Sequence, residues 1–224
     1  MPDHTSTAAQ APPAAAGGGA KFWDRFAERY AARPIKDVAA YEALLSDVAA
    51  RLRKTDRVLE IGCGTGGAAI RLAPQVSQFT ATDFSTEMIR IAAAKPAPDN
   101  LHFKTSNAET ALDGGPFDAI CAFNVLHLVD DLPGLLGGIH AQLRPGGLLI
   151  SKTWCFADLG RKLRLLFGVL RVIGLFPPSA TLGVAHLRQA ILDAGFEIAD
   201  QRVFGERPQN PYIVARKPTV LAEP

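Results

Sequence analysis

Long apolar runs are missing from this chain of 224 residues. No stretch approaches the roughly 20 apolar residues that a membrane-spanning helix needs. Residues 1–20 are rich in alanine, proline and glycine and lack the apolar middle of a secretory signal. A disordered tail is expected there. Net charge is nearly absent as well: 24 basic and 22 acidic residues leave +2. That balance gives no case for a nucleic-acid partner. Cysteine is scarce. Cys63, Cys121 and Cys155 make neither an even disulfide set nor a metal-binding spacing. They fit a reducing, cytoplasmic compartment. No His or Cys cluster and no nucleophile elbow is present, so no metal is expected.

What is present is strand–helix alternation. Phe22 to Phe26 and Tyr30 mark a short amphipathic helix that Pro34 interrupts, and a second helix runs from about Asp37 to Leu52. Together they make a helical cap over 21–54. Apolar strands are read at Val58–Ile61, Phe79–Thr82, Leu101–Lys104, Phe117–Ala122 and Leu148–Thr153. Helices are read at Thr86–Ala94, with Ser85 as cap, and at Asp131–Leu143. The last part reads as a helix over Arg161–Phe176, another over Thr181–Ala194, and two strands, Phe196–Phe204 and Tyr212–Arg216. The expected architecture is α/β: a doubly wound, Rossmann-like, seven-stranded, mostly parallel sheet with a C-terminal antiparallel hairpin. The main domain spans 55–218, with a lid-like helix near 160–176 and a short tail over 219–224.

The turn Gly62-Cys63-Gly64-Thr65-Gly66-Gly67 joins the first strand to a helix. Glycine permits positive φ and close approach of a ligand, and the helix start offers free N–H donors. Gly62, Gly64 and Gly67 also fit a dinucleotide fingerprint, with Asp83 as its ribose-binding acid. The glycines alone therefore leave a dinucleotide and S-adenosylmethionine both open. Glu60 favours the second. A carboxylate ahead of the glycines repels phosphates but suits a sulfonium and an ammonium.

The run Val58-Leu59-Glu60-Ile61-Gly62-Cys63-Gly64-Thr65-Gly66 resembles the first motif of class I S-adenosylmethionine-dependent methyltransferases. Within them the chain resembles the small-molecule branch that includes quinone-biosynthesis C-methyltransferases, over about Phe22 to Lys217. The resemblance implies that Glu60, Gly62, Gly64 and Gly66 hold the methionine end, with Asn124 nearby. It implies that Asp83 binds the ribose hydroxyls and that Phe84 packs beside the adenine. Asn107-Ala108 stands where many relatives have Asp-Ala against the adenine amino group. Tyr30 and Tyr41 match tyrosines that close over the cofactor, with core packing as the other reading for them and for Trp23.

His127, just past the fourth strand, is the candidate general base, with a structural histidine as the alternative. Lys152 and Trp154 are candidates for the acceptor pocket. The segment 161–173 places Arg161, Arg164 and Arg171 on one face of a largely apolar helix. It reads as a lid over a hydrophobic small-molecule acceptor, as a helix packed on the domain with its arginines in water, or as a peripheral contact with the inner face of a membrane. Two other functions stay open. A short-chain NAD(P)-dependent oxidoreductase needs a Tyr-x-x-x-Lys pair, and none of the three tyrosines supplies it. A non-catalytic cofactor-binding scaffold would keep the glycine turn without turnover.

Overall fold

The computed structural model describes residues 17–173, 175–177 and 181–219. In chain order the elements are α1 (Gly17–Ala31), α2 (Val38–Arg51), β1 (Arg57–Ile61), α3 (Gly67–Leu72), β2 (Gln78–Asp83), α4 (Thr86–Ala93), β3 (Leu101–Thr105) and α5 (Ala108–Ala111). Then follow β4 (Phe117–Phe123), α6 (Leu132–Gln142), β5 (Leu143–Lys152), α7 (Arg161–Val172), α8 (Val184–Asp193), β6 (Glu197–Arg202) and β7 (Tyr212–Arg216). The strands form one seven-stranded sheet in the order β3-β2-β1-β4-β5-β7-β6. β1 to β5 pair in parallel, and β7 runs antiparallel to both β5 and β6. This is the architecture expected from the sequence, hairpin included.

The order of strands follows from burial. Side chains alternate along a strand, so β1 sends Leu59 and Ile61 into one core and Val58 into the other. The first core adds Ile120, Leu149 and Ile213 with α6 and α8; the second adds Cys121, Ile150 and Val214 with α2 and α3. Strands buried on both faces are largely apolar, as β1, β4 and β7 are apart from Arg57, Glu60, Asp118 and Arg216. Chain reversal between β3 and β4 on either side of β1 leaves a crevice at the carboxyl ends of the strands, where ligands of such sheets bind.

Several boundaries differ from the sequence reading. α1 begins at Gly17, four residues ahead of the expected start, so the tail is shorter than 1–20; residues 1–16 and 220–224 lie outside the described residues. The turn at Leu143–Gly147 belongs to β5, where the β4 register shifts between Phe117 and Ala119. Gly146, at φ 79°, donates its N–H to Lys217 O, so the irregularity is held inside the sheet. α7 ends at Val172 rather than Phe176, because the N–H groups of Leu175 and Phe176 both return to Leu170 O. That reversal brings the Phe176 ring to 4.8 Å from Phe167.

A polar knot fixes α2 on the sheet. Asp47 accepts from Arg51 Nε at 2.7 Å, Arg202 Nη1 at 3.1 Å and the Tyr212 hydroxyl at 2.7 Å. Arg51 also reaches Asp200. Burial pushes the Asp47 carboxyl up, but the hydrogen bonds from Arg51 and Tyr212 outweigh it and hold it low. Tyr212 is fully buried, so its hydroxyl depends on this acceptor. Asp47→Ala should cost about 1–3 kcal/mol, chiefly through the stranded hydroxyl. A thermal melt should show Tm lower by roughly 3–10 °C, whereas Glu42→Ala, on the exposed pair with Arg71, should leave it within about 1 °C.

Candidate active site

β1 and β2 lie side by side in parallel register, Glu60 opposite Ala81 and Ile61 opposite Thr82. Their ends therefore carry Glu60 and Asp83 into the same crevice. Glu60 is 2% exposed and Asp83 6% exposed. Burial, then the charge of Asp83, pushes the Glu60 carboxyl up to about 8. Glu60 Oε2 makes no hydrogen bond. Asp83 is raised by burial too, opposed by backbone N–H groups. Its Oδ2 accepts from Gly64 N and its Oδ1 from Ser85 N, each at 2.9 Å.

The glycine turn is pinned from three sides. Cys63 N donates to Thr82 O at 2.8 Å, Gly64 N to Asp83, and Lys95 Nζ to Thr65 O at 2.6 Å. Gly62, Gly64 and Gly66 all adopt left-handed φ, at 67°, 54° and 76°. They serve different ends. A Cβ on Gly62 would lie 2.5 Å from Val125 Cγ2, and one on Gly66 would lie 2.7 Å from the Phe103 ring. At Gly64 the nearest neighbour would be Tyr30 Cε1, at 3.7 Å. Gly62 and Gly66 are thus required by packing, while Gly64 faces the crevice under Tyr30.

α1 roofs this crevice. Trp23 meets the Tyr30 ring edge-on at 5.9 Å. Gly19 sits against Phe84, where an added Cβ would lie 3.2 Å from the ring. Tyr30 keeps 45% of its surface exposed. Its phenol is nonetheless raised, by desolvation first and then by Asp83 and Glu60. Tyr41 of α2 is pushed up to about 12 by burial and by Glu60, and its hydroxyl lies beside Gly67. The sequence reading missed what seats α1. Asp24 Oδ1 accepts from Ser85 Oγ at 2.6 Å and Glu87 N at 3.2 Å, while Ser85 Oγ caps α4 through Met88 N. Asp24 stands within the run Phe22–Phe26 with nothing nearby to mark it, and its partners are more than sixty residues away.

Other expected residues lie further round the crevice. Asn124 follows β4 at φ 57°, a left-handed conformation that asparagine tolerates better than most residues, and its N–H donates to Lys152 O at 2.6 Å. Asn107 caps α5: its Oδ1 accepts from Thr110 N and Thr110 Oγ1, at 2.7 and 2.5 Å. That oxygen thus accepts two hydrogen bonds from Thr110. Ala108 begins α5 and packs against the first core.

His127 is buried, at 6% exposed. Burial lowers it to about 4, so the ring is neutral and its Nδ1 makes no hydrogen bond. It meets Phe156 edge-on at 5.3 Å. Phe156 is a hub: it also touches Trp154 at 6.0 Å, Phe167 at 5.6 Å and Phe176 at 5.3 Å. Phe156 thus links α7, through Phe167, to His127. The sequence did not reveal that Ser151, Thr153 and Asn210 would also be buried with oxygen atoms lacking a hydrogen-bond partner. Thr153 N donates to Pro211 O, which sets the Asn210 loop beside it. Lys152 is half-buried, lowered by burial and opposed by Asp37 of the α2 cap. Strand alternation sends it to the face of Ile150, opposite Ser151.

Comparison with known proteins adds a decisive observation: residues 24–201 match the model of a family described as a methyltransferase domain. The chain belongs to that family. It is similar to the lovastatin nonaketide synthase polyketide synthase component of Aspergillus terreus, 34% identical over 118 residues, which is 48% of this chain and 4% of the synthase. The chain spans only 3% to 30% of the length of such curated relatives. Among solved structures it resembles the CurJ carbon methyltransferase, at 26% identity and a TM-score of 0.57, covering 74% of this chain and 49% of that one. It also shares its fold with magnesium protoporphyrin IX methyltransferase from Synechocystis with bound SAH, at 21% identity and a TM-score of 0.65, covering 89% and 95%. Family and fold bear out the resemblance to class I S-adenosylmethionine-dependent methyltransferases.

The residues present fit that cofactor. An unpaired buried carboxylate suits an ammonium, and a raised acid at the next strand tip suits hydroxyl donors. A phosphate-bearing dinucleotide would set like charges together at Glu60, which counts against the oxidoreductase alternative.

The raised Glu60 gives a signed pH test. An ordinary glutamate titrates near 4.5, and this one near 8. Between those values the folded chain holds a proton that the unfolded chain has lost. The stability tied to that proton is full below about 4.5 and is lost as pH rises through about 8. Glu60→Gln should flatten this part of the Tm-against-pH profile. At about pH 6.5, calorimetry in two buffers should show proton release on S-adenosylmethionine binding to wild type and less to Glu60→Gln. Profiles and proton counts that do not change would remove Glu60 from the site.

The three glycines separate in a second test. Gly62→Ala should lower stability by about 3 kcal/mol, from the Val125 clash and the left-handed backbone. Gly64→Ala, which has room for its Cβ, should unfold less readily yet bind S-adenosylmethionine at least tenfold more weakly in a titration.

Proposed function

We propose that this chain transfers a methyl group from S-adenosylmethionine to a small, hydrophobic acceptor in the cytoplasm. The observation that carries the reading is the buried Glu60–Asp83 pair beside a left-handed glycine turn, roofed by Tyr30. S-adenosylmethionine, when bound, supplies a methyl group on an already activated sulfonium.

The chain's residues have four tasks. Glu60 and the backbone of Gly62 and Gly64 hold the methionine end, and Asp83 holds the ribose. Tyr30 and Trp23 cover the turn and keep water out, and an aromatic face also favours a sulfonium. Phe156, Trp154 and Phe167 offer the acceptor an apolar wall, while Thr153 and Asn210 offer it polar contacts. His127 Nδ1, neutral and unpaired, would take the proton from the acceptor and leave it an electron pair for the methyl group, which would come from the cofactor as its C–S bond breaks and the bonding pair stays on sulfur. Alignment supplies most of the acceleration, on the order of 7–11 kcal/mol, and the base adds about 10²–10⁴-fold.

The aromatic wall supports a hydrophobic acceptor. Similarity to a carbon methyltransferase and to a polyketide synthase component supports an acidic carbon as the accepting atom. Small net charge argues against nucleic acid. No helix among the described residues is long and apolar enough to cross a membrane. Peripheral contact through α7 is compatible with this reading.

The test begins with calorimetric titration of S-adenosylmethionine, NAD and NADP into wild type and Asp83→Ala. Micromolar S-adenosylmethionine binding that the substitution abolishes is expected; saturable NAD binding in its place would overturn the proposal. Quinones, phenols and carbon acids are then screened as acceptors. With an acceptor in hand, His127→Ala should lower kcat by about 100-fold or more and leave cofactor affinity within twofold. Because the ring stays neutral above about 4, the wild-type rate should stay level down to about pH 5.

A further inference from the structure

The side of α7 that faces away from Phe156 is apolar and exposed. At 3.6 residues per turn Leu165, Val169 and Val172 fall in one sector. They are 73%, 52% and 87% exposed. Gly168 beside them has open space where a side chain would be. The result is a shallow groove of about 340 Å³ lined by Arg164, Leu165, Gly168, Val169, Val172 and Ile173. Ile173 and Leu175 extend the exposed apolar surface at 58% and 59%. A contiguous patch of this kind marks an interaction surface.

Its charge says which kind. Arg161, Lys162 and Arg164 are exposed and flank the apolar sector, and α7 contains no acidic residue. A second copy of the chain would set these cations against their own kind. An anionic lipid surface satisfies both features at once: the apolar apex enters the acyl boundary and the flanking cations meet the phosphates. The opposite side of the same helix carries Phe167, in contact with Phe156 and hence with the wall around His127.

We propose that α7 seats the protein on an anionic bilayer surface, so that a lipid-soluble acceptor reaches the His127 pocket from the membrane. This deepens the methyltransferase reading and rests on it for the identity of the pocket. Seating involves no covalent step.

The full chain is sedimented with vesicles of phosphatidylcholine alone and with about one third phosphatidylglycerol. Preferential pelleting with the anionic vesicles is expected, reduced by salt. Arg161→Gln with Arg164→Gln should weaken the partition by about fivefold per arginine, and Leu165→Asp with Val172→Asp should abolish it. All four positions are exposed, so unchanged melting and unchanged S-adenosylmethionine titration serve as fold controls. Equal pelleting with both vesicle types, or variants that pellet like wild type, would overturn the proposal, as would absence of pelleting, the result expected of a surface built for an acidic protein. Cofactor titration separates the two readings: binding of S-adenosylmethionine without lipid strikes only the membrane proposal, and binding of lipid without S-adenosylmethionine strikes the methyltransferase reading.

Discussion

Two carboxylates buried at the tips of neighbouring strands set the terms for everything around them. Glu60 and Asp83 are each almost removed from water; burial raises the proton affinity of both, and the charge of Asp83 raises that of Glu60 further. Desolvating a carboxylate is costly unless it is bonded or neutral. The fold answers differently at each. Asp83 is met by two backbone N–H groups, one of which belongs to the glycine turn. Glu60 is left with an oxygen unpaired and a carboxyl held toward neutrality. The first acid is a structural clip, and the second is a group awaiting a cation.

The glycine turn takes its shape from that clip. Bringing Gly64 N to Asp83 requires the chain to leave β1 in a left-handed conformation and to do so again at Gly66. α1 is then seated by Asp24 on the α4 cap, next to the acid that fixes the turn. Tyr30 comes to lie over Gly64 by way of that seating. Ser85 joins the two acids, bonding to Asp83 with its backbone and to Asp24 with its side chain.

The surroundings of His127 are built on different physics. Around His127 there is no comparable charge pair, only aromatic rings and polar atoms with no partners. Burial alone lowers the imidazole, which keeps a lone pair free without any neighbouring acid. α7 joins this interior to the surface, since Phe167 packs inward while Leu165, Val169 and Val172 face out. The helical period sets Phe167 on one face and Leu165, Val169 and Val172 on the other.

The sequence by itself determined the fold class, the strand count, the glycine turn and the acids at β1 and β2. Those signals are local: alternation of apolar strands with helices, glycine between a strand and a helix, and a carboxylate at a strand end. It also marked His127 and the basic, apolar character of 161–173. It did not separate Gly62 and Gly66, which pack against Val125 and Phe103, from Gly64, which faces Tyr30, because those neighbours come from distant parts of the chain. It did not show that the Asn107 oxygen caps α5. It placed the end of α7 at the prolines, where hydrogen bonds back to Leu170 end it earlier. Asp24, Thr153 and Asn210 carried no local signal at all. The Asn107 cap and the end of α7 turn on local hydrogen bonds that residue types alone do not fix; the glycine neighbours and the contacts of Asp24 and Thr153 were decided only by tertiary structure, because partners far along the chain leave no trace in the spacing of its residues.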